Sequence, residues 1–330
     1  MSEVKWLLVG TGDIANKRVA PALNGVKNSR LVGVCDVVRK RAEKLACEVR
    51  ASEVFTDLDE ALARSSANAV YLATPIFLHA PQTIKALEAG KHVLVEKPLG
   101  LTGQDARKVA EAARGKNLKA GCSYFRRLSP RYLQAKTMLQ NSEFGKVVLV
   151  RMTYFSWFNP DKNDPKYWRV IRSKSGGGPL SDMGSHMFDV LIGLFGMPVK
   201  VFAKCENLIH SWDVEDSAAI LMTLQNGAQV VASFNWNSKT CSHEFEIIGT
   251  EAKVKWHPYD AGKVIKTVAR DIMELDLPNA ENVHAPLIED FVQAVIENRN
   301  PAVTLEDAAR TNILLDAVYR SAETGKEVEL

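Results

Sequence analysis

Residues 5–15 read Lys5-Trp6-Leu7-Leu8-Val9-Gly10-Thr11-Gly12-Asp13-Ile14-Ala15. An unbroken apolar run ends on a glycine-bearing turn, and the chain then takes up a helical pattern. Unbroken rather than alternating polarity marks a strand buried on both faces. The turn has the G-x-G-x-x-A form of a dinucleotide-binding fingerprint. Gly10 permits the tight turn, Gly12 has no side chain to block a pyrophosphate, and Ala15 lets the helix approach the sheet. A helix start leaves its leading N–H groups without intrahelical partners, and its dipole favours an anion. Thr11, Asp13 and Ile14 complete the expected phosphate-facing turn.

An acid belongs at the end of the second strand in such a unit, and Asp36 stands there. Its carboxylate can accept hydrogen bonds from both ribose hydroxyls and would repel a 2′-phosphate, so NAD is the expected cofactor. Arg39 and Arg41 follow, and either could reach a 2′-phosphate, which leaves NADP open. Asp36 could equally serve as the N-cap of the next helix.

Further along, strands are expected at Lys5–Val9, Leu31–Cys35, Ala69–Ala73, His92–Val95 and Leu118–Cys122. Between them, Val38, Ala42, Leu45, Ala46 and Val49 fall on one helical face. Asp57 with Glu60 resembles a capping box, Pro81 sits near a helix start and Gly90 after its end. Strand and helix in alternation predict a Rossmann-type doubly wound parallel sheet over residues 1–122. From 123 to 330 the pattern changes. β-Branched and aromatic runs at Lys146–Phe158, Val199–Glu206, Ser217–Gln225 and Ala228–Asn237 predict a large, mostly antiparallel sheet. Asn226-Gly227 predicts a type I′ hairpin, and Thr250-Glu251 a turn between Phe245–Gly249 and Ala252–Trp256. Helices are expected near Leu180–Phe195, Pro286–Asn298 and Leu305–Thr324, the last capped by Thr304 and Asp307. The closing helices can pack back on the first domain.

The 330 residues suit two domains at about 150 each. With 46% hydrophobic and 25% charged residues, the chain is neither disordered nor collagen-like. A formal net charge of +3, spread along the chain, supports neither nucleic acid nor a membrane surface as partner. No apolar run approaches the roughly 18 residues of a membrane span, and residues 1–12 lack the form of a signal peptide. Cys35, Cys47, Cys122, Cys205 and Cys241 form no C-x-x-C pair. They read as buried thiols in a reducing compartment, so a cytoplasmic location is expected.

Chemistry is expected at the strands' carboxyl ends. Ala73-Thr74-Pro75 would wall the nicotinamide ribose, with His79 four residues on, either a cofactor contact or an ordinary helix-start residue. Glu96-Lys97-Pro98 follows the next strand. The Lys97 ammonium can donate to a substrate oxygen and stabilise developing alkoxide, and Pro98 restricts Lys97 to extended geometry and can carry a cis bond. A second constellation runs Gly176-Gly177-Gly178, Asp182-Met183-Gly184-Ser185-His186, Asp189. The glycines let backbone approach a ligand or hinge a loop, and Asp182 and His186 share a face at i, i+4. Histidine serves as acid–base near neutral pH, tuned by a neighbouring carboxylate. The spacing is not that of a metal site, so none is expected.

These motifs, in this order, resemble the Gfo/Idh/MocA family of glucose–fructose oxidoreductase and inositol dehydrogenase relatives, over nearly the whole chain. The resemblance implies an N-terminal Rossmann domain and a C-terminal α/β domain with an open sheet, and NAD(P)-dependent oxidation or reduction of a sugar, cyclitol or related polyol, with Lys97, Asp182 and His186 in the catalytic roles. Within the same family, a redox-neutral enzyme that retains its NAD and a non-catalytic NAD-dependent regulator are the alternatives. Tyr124, Arg126, Trp168 and Arg169 are candidate substrate contacts, because aromatic faces stack on sugar C–H surfaces and arginines bind hydroxyls or acids. Tyr154 and Phe158 are expected in the sheet core. An exposed sheet face would suit a homodimer or homotetramer.

Overall fold

The apolar runs of the N-terminal part become six parallel strands: β1 (Val4–Val9), β2 (Ser29–Cys35), β3 (Glu53–Phe55), β4 (Ala69–Leu72), β5 (His92–Val95) and β6 (Ala120–Cys122). In the computed structural model, which describes residues 2–330, they lie in the order β3-β2-β1-β4-β5-β6. The order switches direction between β1 and β4, the point where doubly wound sheets take their ligands. Every side chain of β1 except Lys5 is buried, as helices on both faces require. β3 escaped the sequence reading because three residues opening on an acid carry no apolar run.

Local chemistry sets the helix ends. Asp57 accepts from the Glu60 N–H at 2.8 Å and starts the helix Leu58–Arg64. The helix Arg39–Val49 buries Ala42, Leu45 and Ala46, whereas Val38 sits outside it at 42% exposure. Pro81 lies inside the helix Ile76–Glu88, not at its start. A proline there forgoes one intrahelical bond. Gly90 follows that helix at φ +73°.

Residues 2–100, 104–128 and 280–309 form one compact unit. The returning helix Ala285–Glu297 buries Leu287, Ile288, Phe291 and Val292, and the Phe291 ring lies 5.4 Å from that of Trp6 on β1. Thr304 and Asp307 cap each other reciprocally at the start of Leu305–Thr324.

The other unit comprises residues 101–103, 129–279 and 310–330. Its sheet contains β7 (Val147–Trp157), β8 (Lys200–Glu206), β9 (Ser217–Thr223), β10 (Gln229–Asn235), β11 (Asn237–Gly249), β12 (Ala252–Trp256), β13 (Val264–Val268), β14 (Asp271–Leu275) and β15 (Val328–Glu329). The order is β14-β13-β12-β11-β7-β10-β9-β8-β15, antiparallel throughout except where β10 runs parallel to β7. Alternation follows the pleat: β9 buries Ala218, Ile220 and Met222 and exposes Leu221. The helix Ser185–Phe195 covers the buried face, with Phe188 edge-on to Phe234 at 5.6 Å.

Two sequence expectations need correction here. The β9–β10 hairpin is not type I′, since Asn226 does not have positive φ. Gly227 donates to the Leu224 carbonyl at φ +84° and Leu224 donates to Ala228, the pattern of a three-residue loop with a glycine bulge. Nor are all thiols buried: Cys35 and Cys122 are, Cys205 is half-buried, and Cys47 and Cys241 are exposed. Burial pushes the Cys35 thiol up to about 12, with Asp36 adding to the shift. Among the described residues, no helix is long and apolar enough to cross a membrane.

Candidate active site

In the first unit, the turn after β1 is shaped by its glycines. Gly10 has φ +91°, and a Cβ there would lie 2.6 Å from the Ala73 carbonyl oxygen, so only glycine lets β1 turn against β4. Gly12 has open space where its Cβ would stand. The helix that follows begins with a π-type turn, Ala15–Val19, in which Ala20 donates to the Ala15 carbonyl. Asn16 folds back and donates to the carbonyls of Thr11 and Gly12 at 2.7 and 2.8 Å, fixing the turn. Ile14 is exposed beside it, and Asp13 pairs with Lys17 at 2.8 Å.

Asp36 ties this turn to the end of β2. Its Oδ2 accepts from the Thr11 N–H at 2.9 Å and the Thr11 hydroxyl at 2.7 Å. Its Oδ1 accepts from Val38 N–H, two residues on, so it makes a local turn and does not cap the helix Arg39–Val49. Arg39 pairs with Glu43 at 3.3 Å, and Arg41 is exposed on the same helix.

At the next strand ends, Thr74 donates to Gln82 at 2.7 Å, and Pro75 opens the helix Ile76–Glu88. His79 is buried, with its two ring nitrogens each 2.7 Å from a carbonyl oxygen, of Pro98 and of Thr74. Burial pushes its pKa down despite both carbonyls. It therefore joins the loops after β4 and β5. The Lys97–Pro98 bond is cis. Glu96 accepts from the Tyr71 hydroxyl at 2.6 Å and lies 3.4 Å from His284, a residue the sequence reading missed. Burial pushes the Glu96 carboxyl up, but His284, Tyr71 and Lys97 outweigh it and the net shift is down. Tyr124 and Arg126 belong to this unit and not to the second. Tyr124 is fully buried in its core, and Arg126 lies over the Phe125 ring at 4.6 Å.

The second unit carries Asp182 and His186 on one helical segment, Leu180–Gly184 followed by Ser185–Phe195. Its opening turn is again π-type, with Ser185 donating to the Leu180 carbonyl. Asp182 accepts from Arg169 at 3.1 Å, so two residues singled out separately in the sequence are ion-paired. The Arg169 guanidinium also lies 5.7 Å from the ring of Trp168. His186 and Asp189 are buried. Tyr154 and Phe158 are half-buried, packed beside Trp236.

The glycines before this helix admit the chain's own residues. A Cβ at Gly177 would fall 1.8 Å from the Tyr319 hydroxyl, and one at Gly178 would fall 2.0 Å from the Glu215 carbonyl oxygen. They are needed because the chain's own residues fill that space. Glu215, Asp216 and Tyr319 were all missed; the only sequence clue is a pair of acids immediately before β9. Among the described residues, no three His, Cys, Asp or Glu side chains are grouped to hold a metal ion.

Residues 4–124 match the profile of the oxidoreductase family with an NAD-binding Rossmann fold, and residues 132–255 match the GFO/IDH/MocA C-terminal domain. Among curated proteins, the chain is 27% identical over 334 residues to 1,5-anhydro-D-fructose reductase of Ensifer adhaerens, covering 99% of this chain and 98% of that one. It is 27% identical over 321 residues to oxidoreductase P35 of Formosa agariphila, covering 96% and 98%. Among solved structures, levoglucosan dehydrogenase in complex with NADH superposes with a TM-score of 0.90 at 22% identity, covering 99% of each chain. At that identity the likeness is one of fold. The open space at Gly12, the close approach at Gly10 and the carboxylate of Asp36 fit the pyridine dinucleotide that the family profile names. The chain is a member of the Gfo/Idh/MocA family of NAD-binding oxidoreductases.

Proposed function

We propose that this protein is a dehydrogenase or reductase acting on a CH–OH or carbonyl carbon of a sugar, cyclitol or related polyol. The observation that carries the reading is the cradle at Gly10, Gly12 and Asp36, in a chain that also keeps Lys97, Asp182 and His186. Gly10 to Ile14 would hold the pyrophosphate, Asp36 the adenosine ribose, and Thr74 and Pro75 the nicotinamide ribose. His79 and Glu96 would support that pocket from behind. Arg41 would meet a 2′-phosphate if NADP were used. The bound nicotinamide would supply the hydride acceptor or donor. Lys97 would donate to the substrate oxygen, and His186 would take or return the hydroxyl proton. Arg169 holds the carboxylate of Asp182, and Asp182 would tune His186. Trp168 and Arg169 would line the sugar. Tyr124 and Arg126 would act from the first unit, Tyr124 as packing.

Two relatives named above act on anhydro sugars by their names, so the substrate panel should include these beside aldoses and cyclitols. Net change in NADH absorbance, run with NAD and with NADP, tests the reading. No turnover with any panel member, despite NADH binding, would favour the redox-neutral alternative. His186→Ala should lower kcat by about 10²- to 10⁴-fold with NADH affinity unchanged. Turnover at the wild-type rate would remove His186 from the mechanism.

The proposal includes self-association through the open face of the second sheet. Phe202, Leu221 and Val231 are paired in register across β8, β9 and β10, and all three are exposed. A monomer mass independent of concentration in light scattering would refute it. The five thiols are all free, which suits a reducing compartment.

A further inference from the structure

We infer that Glu215 is a positioning residue for the acid–base helix: its carboxyl, fixed by Tyr319, holds the N–H groups that open the segment bearing Asp182 and His186. The inference rests on the roles proposed above for those two side chains.

Glu215 stands at the base of β9, 3% exposed. Its Oε1 accepts from the Gly178 N–H at 3.0 Å, the Leu180 N–H at 3.2 Å and the Tyr319 hydroxyl at 3.0 Å. The amides at a helix start have no partner within the helix, and burying them unbonded is costly. Here a side chain 35 and 37 residues away supplies the acceptor. Gly177 and Gly178 bring the backbone close enough to be reached, since any Cβ there would strike Tyr319 or Glu215. Tyr319 is itself placed by the long helix Leu305–Thr324, with the Arg172 guanidinium over its ring at 5.3 Å. Asp182 lies two residues past Leu180 and His186 six, with the π-type turn between them. A shift of the opening turn would carry both side chains with it.

What Glu215 contributes is reach, not charge. All three hydrogen bonds fall on Oε1, and Oε2 has no hydrogen-bond partner. A neutral side chain of the same length should therefore do the same work, and a charged one that is shorter should not.

The test compares Glu215→Gln, Glu215→Asp, Glu215→Ala and Tyr319→Phe in the full chain, with His186→Ala as reference. The readouts are kcat and KM on the panel sugar that the wild type turns over fastest, NADH affinity, and amide hydrogen exchange across residues 176–186. Glu215→Gln should keep the protection of Gly178 and Leu180 and most of kcat. Glu215→Asp and Glu215→Ala should lose that protection and fall about 10²-fold in kcat, with NADH affinity unchanged. Tyr319→Phe, the mildest change, should fall between them and stands in if Glu215→Ala does not fold. Wild-type protection and kcat in Glu215→Asp, or a Gln variant as impaired as the Ala variant, would overturn the inference. If instead His186→Ala turns over normally, the acid–base reading falls, and the exchange pattern still decides whether Glu215 holds the segment.

Discussion

The two units each open a key helix with a glycine-rich turn followed by a π-type turn, yet the glycines serve opposite ends. At Gly10-Thr11-Gly12 the space beside Gly12 is open, and the Thr11 N–H is held by Asp36. At Gly176-Gly177-Gly178 the space is taken by Glu215 and Tyr319, and the amides of Gly178 and Leu180 already have their acceptor. The first turn keeps a vacancy beside Gly12, and the second is a joint closed by Glu215 and Tyr319. Glycine spacing alone does not separate these cases. What separates them is the glycine nearest the helix: beside Gly12 the space is open, and at Gly178 a Cβ would meet Glu215.

The largest effect should come from filling the joint. Gly178→Ala puts a methyl 2.0 Å from a backbone oxygen that has no rotamer by which to yield. Overpacking of that severity should cost about 3 kcal/mol or more, read as a lower urea midpoint. Gly12→Ala should leave the unfolding free energy from urea titration within about 0.5 kcal/mol of the wild type, because nothing stands in its way. Its methyl would occupy the pyrophosphate's approach, so NADH affinity should fall about tenfold or more, roughly 1.4 kcal/mol. If Gly12→Ala destabilises the fold while Gly178→Ala spares it, the contrast between vacancy and joint is wrong.

The same contrast explains what sequence reading could reach. Asp57 with Glu60, Thr304 with Asp307, and Gly10 with Ala15 act on neighbours a few residues away, so their pattern is written locally. The parallel strands showed because burial on both faces leaves unbroken apolar runs such as β5. β13 and β14 were missed because they lie toward the sheet's edge, and Asp271-Ile272-Met273-Glu274 is almost wholly exposed, so no burial pattern marks it. The pairing of Arg169 with Asp182, and of Glu96 with His284, depends on segments that meet only after folding. Glu215 was illegible for that reason. A pair of acids before a strand says nothing of the amides that one of them will cap. The glycines stand out in the sequence, but the side chains a Cβ there would meet lie far away in it.

The smallest predicted effect is also the sharpest check on the joint. Glu215 and Asp216 are adjacent and both buried, yet their carboxyls are driven in opposite directions. For Asp216, burial pushes upward, but the N–H groups of Leu208, His210 and Ile209 and the Asn237 amide outweigh it, so the folded pKa lies below 3.8. Its contribution is then complete above 3.8 and lost as pH falls through the folded value. For Glu215, burial wins, so the folded pKa lies above 4.5. Between those two values the folded chain keeps a proton that the unfolded chain has released. Raising the pH through that interval therefore lowers stability, by about 1.4 kcal/mol for each unit of separation. Urea midpoints of the wild type against Asp216→Asn should converge on acidification. Those against Glu215→Gln should shift against the wild type as pH rises from 4.5. A wild type that instead gains on Glu215→Gln over that range would mean the joint is held by a carboxylate, and that charge, not reach, places the helix.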